Sequence, residues 1–406
     1  VSTQLDGSRI DNTRIDAASI DAASIDKVLQ DAVSSGAVPH VAAIAADRDG
    51  IIYEGGAGVR IAGESQDPVT TSTQFRLMSM TKMVCTTVAL QQLERGEVDL
   101  DAPVDSYVPA FADVAVLDGF DGETPRLRPP ASRATVRQLL THTTGLGYWF
   151  WSPELREFER VTGVPNVVPG SAEAFQAPML FDPGARFNYG INTDWLGRVV
   201  EAIAGTTLDV AIRDGVTGPL GMADTMFRLD PPRTANCVTV HVKGEDSAWV
   251  SAGEILNQEP DWWAGGHGLY STPRDYIRFE RALLRGGELD GERILRPETV
   301  DAAFTNQIGD LDVPADIPTA DPPISDDIHF GPGWKWGLGL LLNTDDVPGG
   351  RRAGTGAWAG LFNTHFFIDR TTGICASIYT NSLPFASRHE AWQTYADFEA
   401  ALYASL

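Results

Sequence analysis

The stretch Phe75-Arg76-Leu77-Met78-Ser79-Met80-Thr81-Lys82 decides how this chain is read, because it sets a serine three residues before a lysine. At about 100° per residue, that spacing on a helix leaves the two side chains within roughly 60° of each other, so hydroxyl and amine share a face. A nucleophile then has a base beside it. Spacing alone does not select this pair, since Ser24-Ile25-Asp26-Lys27 matches the same pattern. Context separates the two. Met80, Met83, Val84, Thr87, Val88 and Gln91 recur at helical spacing after Ser79, whereas Ser24 lies in a polar repeat. A serine opening a buried helix has backbone N–H groups nearby for an oxyanion, and burial favours a neutral lysine. The alternative is a serine that only caps its helix.

The chain has 406 residues, 43% of them hydrophobic, enough for a large core and two subdomains. Its 31 basic and 55 acidic residues give a net charge of −24, a field that repels nucleic acid and anionic membrane surfaces and leaves neutral small molecules as the expected partners. Cys85, Cys237 and Cys375 are odd in number and far apart, and read as reduced core residues. The start, Val1-Ser2-Thr3-Gln4-Leu5-Asp6, has neither a basic region nor a signal-length apolar stretch, and no run has the length of a membrane span. A cytoplasmic location is expected.

Residues 1–26 carry a five-residue echo, Ile10-Asp11, Ile15-Asp16, Ile20-Asp21 and Ile25-Asp26, whose period cannot line one helical face. They read as an extension feeding a first helix near Ser24 to Ser34. Runs at Val41 to Ala46 and Gly50 to Gly56 read as a hairpin. From Cys85 to Pro231 the pattern is largely helical, with Leu196, Val199, Val200 and Ile203 in register ahead of a stop at Gly205. Strands return at Gly337 to Leu342, Thr364 to Ile368 and Gly373 to Tyr379, and a helix at His389 to Tyr403 ends the chain. This order predicts an α/β (α+β) fold with one sheet assembled from 27–84 and 238–406, and a mainly helical subdomain inserted over 85–237. Asp310 to Asp327, with six aspartates and four prolines, reads as a long exposed loop.

No GxSxG nucleophile elbow and no Walker A motif occur, and Gln393 stands where the second histidine of a zinc-protease motif opened by His389-Glu390 would fall. The seven histidines lack ligand spacing, so no metal and no cofactor are expected. His142, among apolar neighbours, reads either as a base or as a hydrogen-bonded structural histidine. A Ser/Lys pair needs a further proton carrier. Tyr189 is the best placed, in Phe181-Asp182-Pro183-Gly184-Ala185-Arg186-Phe187-Asn188-Tyr189-Gly190, where a Pro-Gly turn precedes a helix near Thr193. A tyrosine beside a turn is otherwise a packing residue.

Taken together, Phe75 to Lys82, LLTHTTGLGY at Leu139 to Tyr148, Pro183 to Tyr189, GGHGLYST at Gly265 to Thr272 and GTGAWAG at Gly354 to Gly360 resemble, in order, the blocks of the serine β-lactamase and penicillin-binding-protein superfamily. More narrowly, the chain resembles the class C β-lactamase-like carboxylesterases, or family VIII esterases. The resemblance runs from about residue 27 to the end. It implies a β-lactamase/transpeptidase-like fold, an antiparallel sheet flanked by helices. It implies Ser79 as acyl-forming nucleophile, Lys82 as its activating partner, Tyr189 as general base and acid, and an oxyanion hole from the N–H groups of Ser79 and Leu361. Trp358-Ala359-Gly360 matches the family's WxG block and implies substrate contact there.

Two departures bear on substrate. Ile191 replaces the asparagine of the β-lactamase YxN motif, and Trp358-Ala359-Gly360 replaces KTG. The missing amide and cation are groups expected to orient a β-lactam, so neutral esters are expected and only weak β-lactamase activity. A cationic Lys82 is expected to lower the pKa of Tyr189. The aromatic runs Tyr148-Trp149-Phe150-Trp151 and Trp262-Trp263 flank the motif blocks, and Tyr148, Trp149, Trp262 and Trp263 are expected to line an apolar pocket suited to short-chain or aromatic esters. D-amino-acid peptidase or acyltransferase chemistry on the same scaffold is the alternative, and a non-catalytic ligand sensor a third reading.

Overall fold

A computed structural model of the protein describes residues 19–254 and 256–406; the Ile10-Asp11 and Ile15-Asp16 repeats lie outside the described residues. Helix α1 (Ala22–Ser34) starts at Asp21, whose carboxylate accepts the Ser24 N–H, and buries Ile25, Leu29 and Ala32 on one face. Strands β1 (His40–Asp47) and β2 (Ile51–Gly58) form the expected hairpin. Its turn is closed by Asp47, whose Oδ1 accepts the N–H groups of Asp49 and Gly50 at 2.7 and 2.8 Å. Helix α2 (Thr81–Glu94) carries Lys82 and runs across the expected subdomain boundary at 84/85. Thr81 to Leu90 are all buried, so this helix passes through the core rather than over it. Helix α3 (Asn192–Ala204) ends where Gly205 takes a left-handed conformation, and α4 (Pro273–Leu284) is capped by Thr272.

The C-terminal region supplies β3 (Trp334–Trp336), β4 (Leu341–Asn343), β5 (Gly356–Gly360), β6 (Thr364–Asp369) and β7 (Ile374–Tyr379), then helix α5 (Ala391–Ala404). One seven-stranded sheet results, in the order β3-β4-β5-β6-β7-β1-β2, with every neighbouring pair antiparallel. The architecture is mixed α/β, one antiparallel sheet flanked by helices, as the ordered sequence blocks imply. Strand β1 is buried at every position, and its alternation divides the core. Val41, Ala43 and Ala45 face α1 and α5 with Phe367 and Phe398, while Ala42, Ile44 and Ala46 face α4 and α2 with Phe366 and Tyr276. Burying each such phenylalanine stabilises the fold by roughly 1.5–3 kcal/mol.

Strand β4 pairs only with Ala357 and Gly356 of β5. Among the described residues, Trp358–Gly360 therefore have β6 on one side and no strand on the other. This free edge positions the site.

Three local expectations change. The run Gly337 to Leu342 is a turn followed by β4, because Gly339 adopts a φ of 84° and Gly337 donates to the Leu340 carbonyl at 2.8 Å. The largely helical stretch also contains a hairpin, Val116–Asp121 with Thr124–Arg128, whose two-residue loop opens on Gly122 at φ 59°. The acidic loop from Asp310 is packed rather than simply solvated. Ala320 donates to the Phe150 carbonyl at 2.8 Å, Asp326 to that of Phe385 at 2.9 Å, and Ser325 is fully buried. Backbone pairing to neighbouring loops holds it where composition alone suggested solvent.

Candidate active site

Ser79 lies on a single turn, Met78–Met80, that leads directly into α2. Met78 has a φ of 49°, a conformation that a side chain makes costly and that the surroundings must hold. They do so through the GGHGLYST block. Leu77 donates to the Leu269 carbonyl at 2.9 Å, Leu269 donates to Thr81 Oγ1 at 3.1 Å, and Phe75–Arg76 pair with Tyr270–Ser271. Two sequence blocks far apart in the chain are thus laced into one support for the serine.

Lys82 is 1% exposed and Ser79 9%. Lys82 Nζ contacts Ser79 Oγ at 3.2 Å, the Tyr148 hydroxyl at 2.9 Å and the Gly266 carbonyl at 2.8 Å. A carbonyl only accepts, so Gly266 keeps one N–H of Lys82 in either protonation state; when the amine is neutral, its lone pair is free to take the proton of Ser79. Burial pulls the amine's pKa down, opposed by the negative charge of Asp194. At the other SxxK, Lys27 is 73% exposed and bonds to Asp31, while Ser24 bonds to Asp21. Local spacing is the same and the environment is opposite.

Tyr189 is buried, and its ring lies 4.7 Å from Lys82 Nζ. The Trp358 indole N–H donates to its oxygen at 2.9 Å, and the Ser79 hydroxyl also reaches that oxygen. Burial nevertheless pushes the phenol's pKa up, more than those two hydrogen bonds lower it. The expected lowering by Lys82 is not found, because desolvation of a phenolate in this aromatic surround is the larger effect. His142 sits behind the ring at 4.6 Å and is hydrogen-bonded to Asn192 Nδ2 at 2.9 Å, with the Gly190 N–H at 3.4 Å. Burial and then the charge of Lys82 keep it neutral, which fits a structural histidine better than a base.

Gly360 ends β5 where the strand touches the serine turn. A Cβ there would lie 2.2 Å from the Leu77 carbonyl and 2.3 Å from Thr364 Oγ1, so only glycine permits this approach. Leu361 follows, and with Ser79, Tyr189, Trp358 and Ala359 it lines a cavity of about 290 Å³. The walls are Phe150, Trp151, Phe330, Trp334, Phe385 and Trp392.

Tyr148, Trp149, Trp262 and Trp263, expected to line an apolar pocket, are not among the residues lining the cavity at Ser79; Trp262 and Trp263 line a separate small hollow. Tyr148 turns its hydroxyl inward to Lys82 and stacks on Phe150 at 5.1 Å. Residues 149–151 form a tight turn that points successive side chains apart, leaving Trp149 packed on the core while Phe150 and Trp151 reach the cavity. Trp262 is buried with its N–H on the Ser171 carbonyl, and Trp263 packs on Phe227. Period-three turning is not visible in a run of four aromatics.

Asp194 escaped the sequence reading. It is fully buried, and one carboxylate oxygen accepts the Gly266 N–H at 2.8 Å. A lone carboxylate inside the apolar run Trp195, Leu196, Val199, five residues after Tyr189, was the available signal.

Comparison with known proteins accords with this geometry. Residues 25–400 match the Beta-lactamase family model. The chain is 32% identical over 358 residues to the lovastatin esterase of Penicillium rubens, spanning 84% of this chain and 88% of the relative. It is 31% identical over 344 residues to the monacolin J acid methylbutanoyltransferase of Aspergillus terreus, spanning 78% and 79%. The solved structure of unliganded simvastatin synthase (LovD) from Aspergillus terreus superposes with a TM-score of 0.82 at 29% identity, over 96% of this chain and 99% of that one.

Proposed function

The chain belongs to the Beta-lactamase family, and from that premise we propose that it is a serine carboxylesterase of the family VIII type, acting on neutral short-chain or aromatic esters through an acyl-enzyme on Ser79. The observation that carries the reading is the 3.2 Å contact of Lys82 Nζ with Ser79 Oγ under a cavity walled by aromatic side chains. Relatives that are an esterase and an acyltransferase fit serine acyl-transfer chemistry in general.

Ser79 Oγ adds to the ester carbonyl carbon as its proton passes to neutral Lys82. The N–H groups of Ser79 and Leu361 receive the oxyanion. The Tyr189 phenol gives its proton to the departing alkoxide and recovers one from the Lys82 ammonium. Water then reverses the sequence, releasing the acid and free Ser79. Trp358, Ala359 and Gly360 form the edge beside which the ester lies. A mostly apolar cavity, whose Arg351 is paired with Glu399 at 3.1 Å, and the lack of a cation in the WAG block support neutral esters over carboxylate-bearing substrates. The net charge of −24 supports a small neutral partner over nucleic acid or anionic membrane, and three buried free thiols support a reducing, cytoplasmic setting. No helix among the described residues is long and apolar enough to cross a membrane.

Similarity to the methylbutanoyltransferase favours a second reading, transfer of the acyl group to an alcohol in place of water. Both are tested with p-nitrophenyl esters of increasing chain length, a chromogenic cephalosporin and a D-Ala-D-Ala peptide, with and without an alcohol acceptor, on wild type and Ser79→Ala. Ester turnover is expected in wild type alone; turnover surviving in Ser79→Ala would falsify the assignment. A new ester formed in preference to free acid selects the transferase reading.

A further inference from the structure

Beside Lys82, both backbone polar groups of Gly266 are engaged. Its carbonyl accepts from Lys82 Nζ at 2.8 Å, and its N–H donates to Asp194 Oδ1 at 2.8 Å. Fit around that peptide is tight. A Cβ on Gly266 would lie 2.6 Å from the Asp194 carboxylate, and one on Gly265 would lie 2.7 Å from the Thr193 carbonyl and 2.8 Å from Cys85 Sγ. The Gly-Gly of the GGHGLYST block is therefore the space that α3 needs to bring its carboxylate against the lysine's peptide partner. Among the described residues Asp194 Oδ2 has no hydrogen-bond partner, although Asp194 is fully buried. Leaving a buried carboxylate oxygen unpaired is expensive; burial pushes the carboxyl's pKa up, and the charge of Lys82 and the Gly266 N–H oppose that in part.

We infer that Asp194 is a positioning residue for Lys82: it fixes the Gly266 carbonyl against Nζ and supplies the negative charge that the buried amine faces. The inference rests on the proposed role of Lys82 as the partner of Ser79. Among the described residues, the other titratable groups packed around the amine are held neutral. Tyr148 and Tyr189 are pushed up by burial, His142 and His267 are pushed down by burial and by Lys82 itself, and the Cys85 thiol is pushed up by burial and then by Asp194. His267 Nδ1 stands 3.8 Å from Asp194 Oδ1 and, being neutral, leaves the carboxylate's charge for the lysine. Burial favours the uncharged form of both Lys82 and Asp194, and each charge favours the other. The carboxylate keeps Lys82 from becoming so weak a base that it cannot take the serine proton.

Asp194→Asn separates the two roles, since the amide retains an oxygen for the Gly266 N–H and loses the charge. The readout is the rate of Ser79 labelling by a p-nitrophenyl phosphonate as a function of pH. Without the carboxylate, Lys82 releases its proton at lower pH, so the rising acid limb moves down by about one unit while the plateau rate falls as the base weakens. A limb that stays in place, or moves up, on folded protein overturns the inference. If Asp194→Asn does not fold, the reciprocal measurement decides: the Asp194 carboxyl, followed by NMR of carboxyl-labelled aspartate, titrates at higher pH in Lys82→Met than in wild type, and an unchanged titration overturns the inference. Wild type that is never labelled sinks the acyl-enzyme reading alone, and the aspartate titration then decides the coupling.

Discussion

The indole N–H of Trp358 donates to the phenol oxygen of Tyr189 at 2.9 Å, tying the free edge of β5 to the connection before α3. This bond favours the phenolate, so it counts most at the instant Tyr189 has given up its proton. Trp358→Phe keeps most of the ring and removes the donor. A hydrogen bond to a charged group contributes about 1.5–3 kcal/mol, so kcat on p-nitrophenyl esters is expected to fall roughly ten- to a hundredfold. Phosphonate labelling of Ser79 should persist. Unchanged kcat would show that Tyr189 carries no negative charge in the rate-limiting step.

Tyr148→Phe tests the contact that turned an expected pocket residue into a partner of the lysine. The variant keeps the stacking on Phe150 and loses the hydroxyl at 2.9 Å from Nζ. Turnover is expected to fall about tenfold, with KM little changed because the ring is absent from the cavity wall. A rise in KM at constant kcat would return Tyr148 to substrate contact.

Lys82 is pulled down by burial, to about 7 from 10.5. Neutral amine is the form that accepts the serine proton, so kcat/KM on a neutral ester should rise through about pH 7 and level off above it. Stability follows the same proton. Between about 7 and 10.5 the unfolded chain holds it and the folded protein does not, so this group's contribution rises with pH across that window. Denaturant midpoints and pH–rate profiles measure the two effects separately; an acid limb below pH 5 would remove Lys82 from the role of base.

Ala359 lines the cavity at the free edge of β5 together with Ser79, Phe385 and Trp392. Ala359→Leu takes up part of the 290 Å³. Hydrolysis of acetate esters should survive, while branched and aromatic acyl esters lose roughly ten- to two-hundredfold in kcat/KM, the usual scale for one or a few methylenes in an apolar pocket. Equal losses for all acyl groups would place the acyl chain elsewhere.

Gly360→Ala should cost both stability and acylation. The new methyl meets the Leu77 carbonyl, which belongs to backbone that cannot yield without moving Met78 and the serine turn. Labelling of Ser79 is expected to slow at least tenfold alongside a drop in Tm; normal labelling in a destabilised protein would detach this contact from the oxyanion site.

Much of the architecture was legible because it depends on local periodicity. The β1–β2 hairpin, the helix stopped at Gly205 and the C-terminal strands Thr364–Asp369 and Ile374–Tyr379 all follow from alternation, helical spacing and turn residues. The hairpin at Val116–Asp121 is hidden in a stretch otherwise rich in helix signals, and the packing of the acidic loop is not legible because composition reports polarity and not backbone pairing. At the cavity beside Ser79 the aromatic wall is formed by Phe150 and Trp151, the neighbours in the same run of the expected Tyr148 and Trp149, because sequence shows the run and not which way each side chain turns.

By itself the sequence determined that Ser79 and Lys82 stand close together, since three residues along helical backbone, here the Met78–Met80 turn running straight into α2, keep two side chains on one side. Spacing alone does not distinguish this pair from Ser24 and Lys27, which lie on a surface helix; the apolar pattern after Ser79 points to it. Tertiary structure supplies the chemical environment that spacing and pattern do not. Tyr148 and Gly266 reach Lys82 from 66 and 184 positions away, and Trp358 reaches Tyr189 from 169. Only such distant contacts remove water from the amine, and it is the loss of water, not the spacing, that makes a lysine a base for serine.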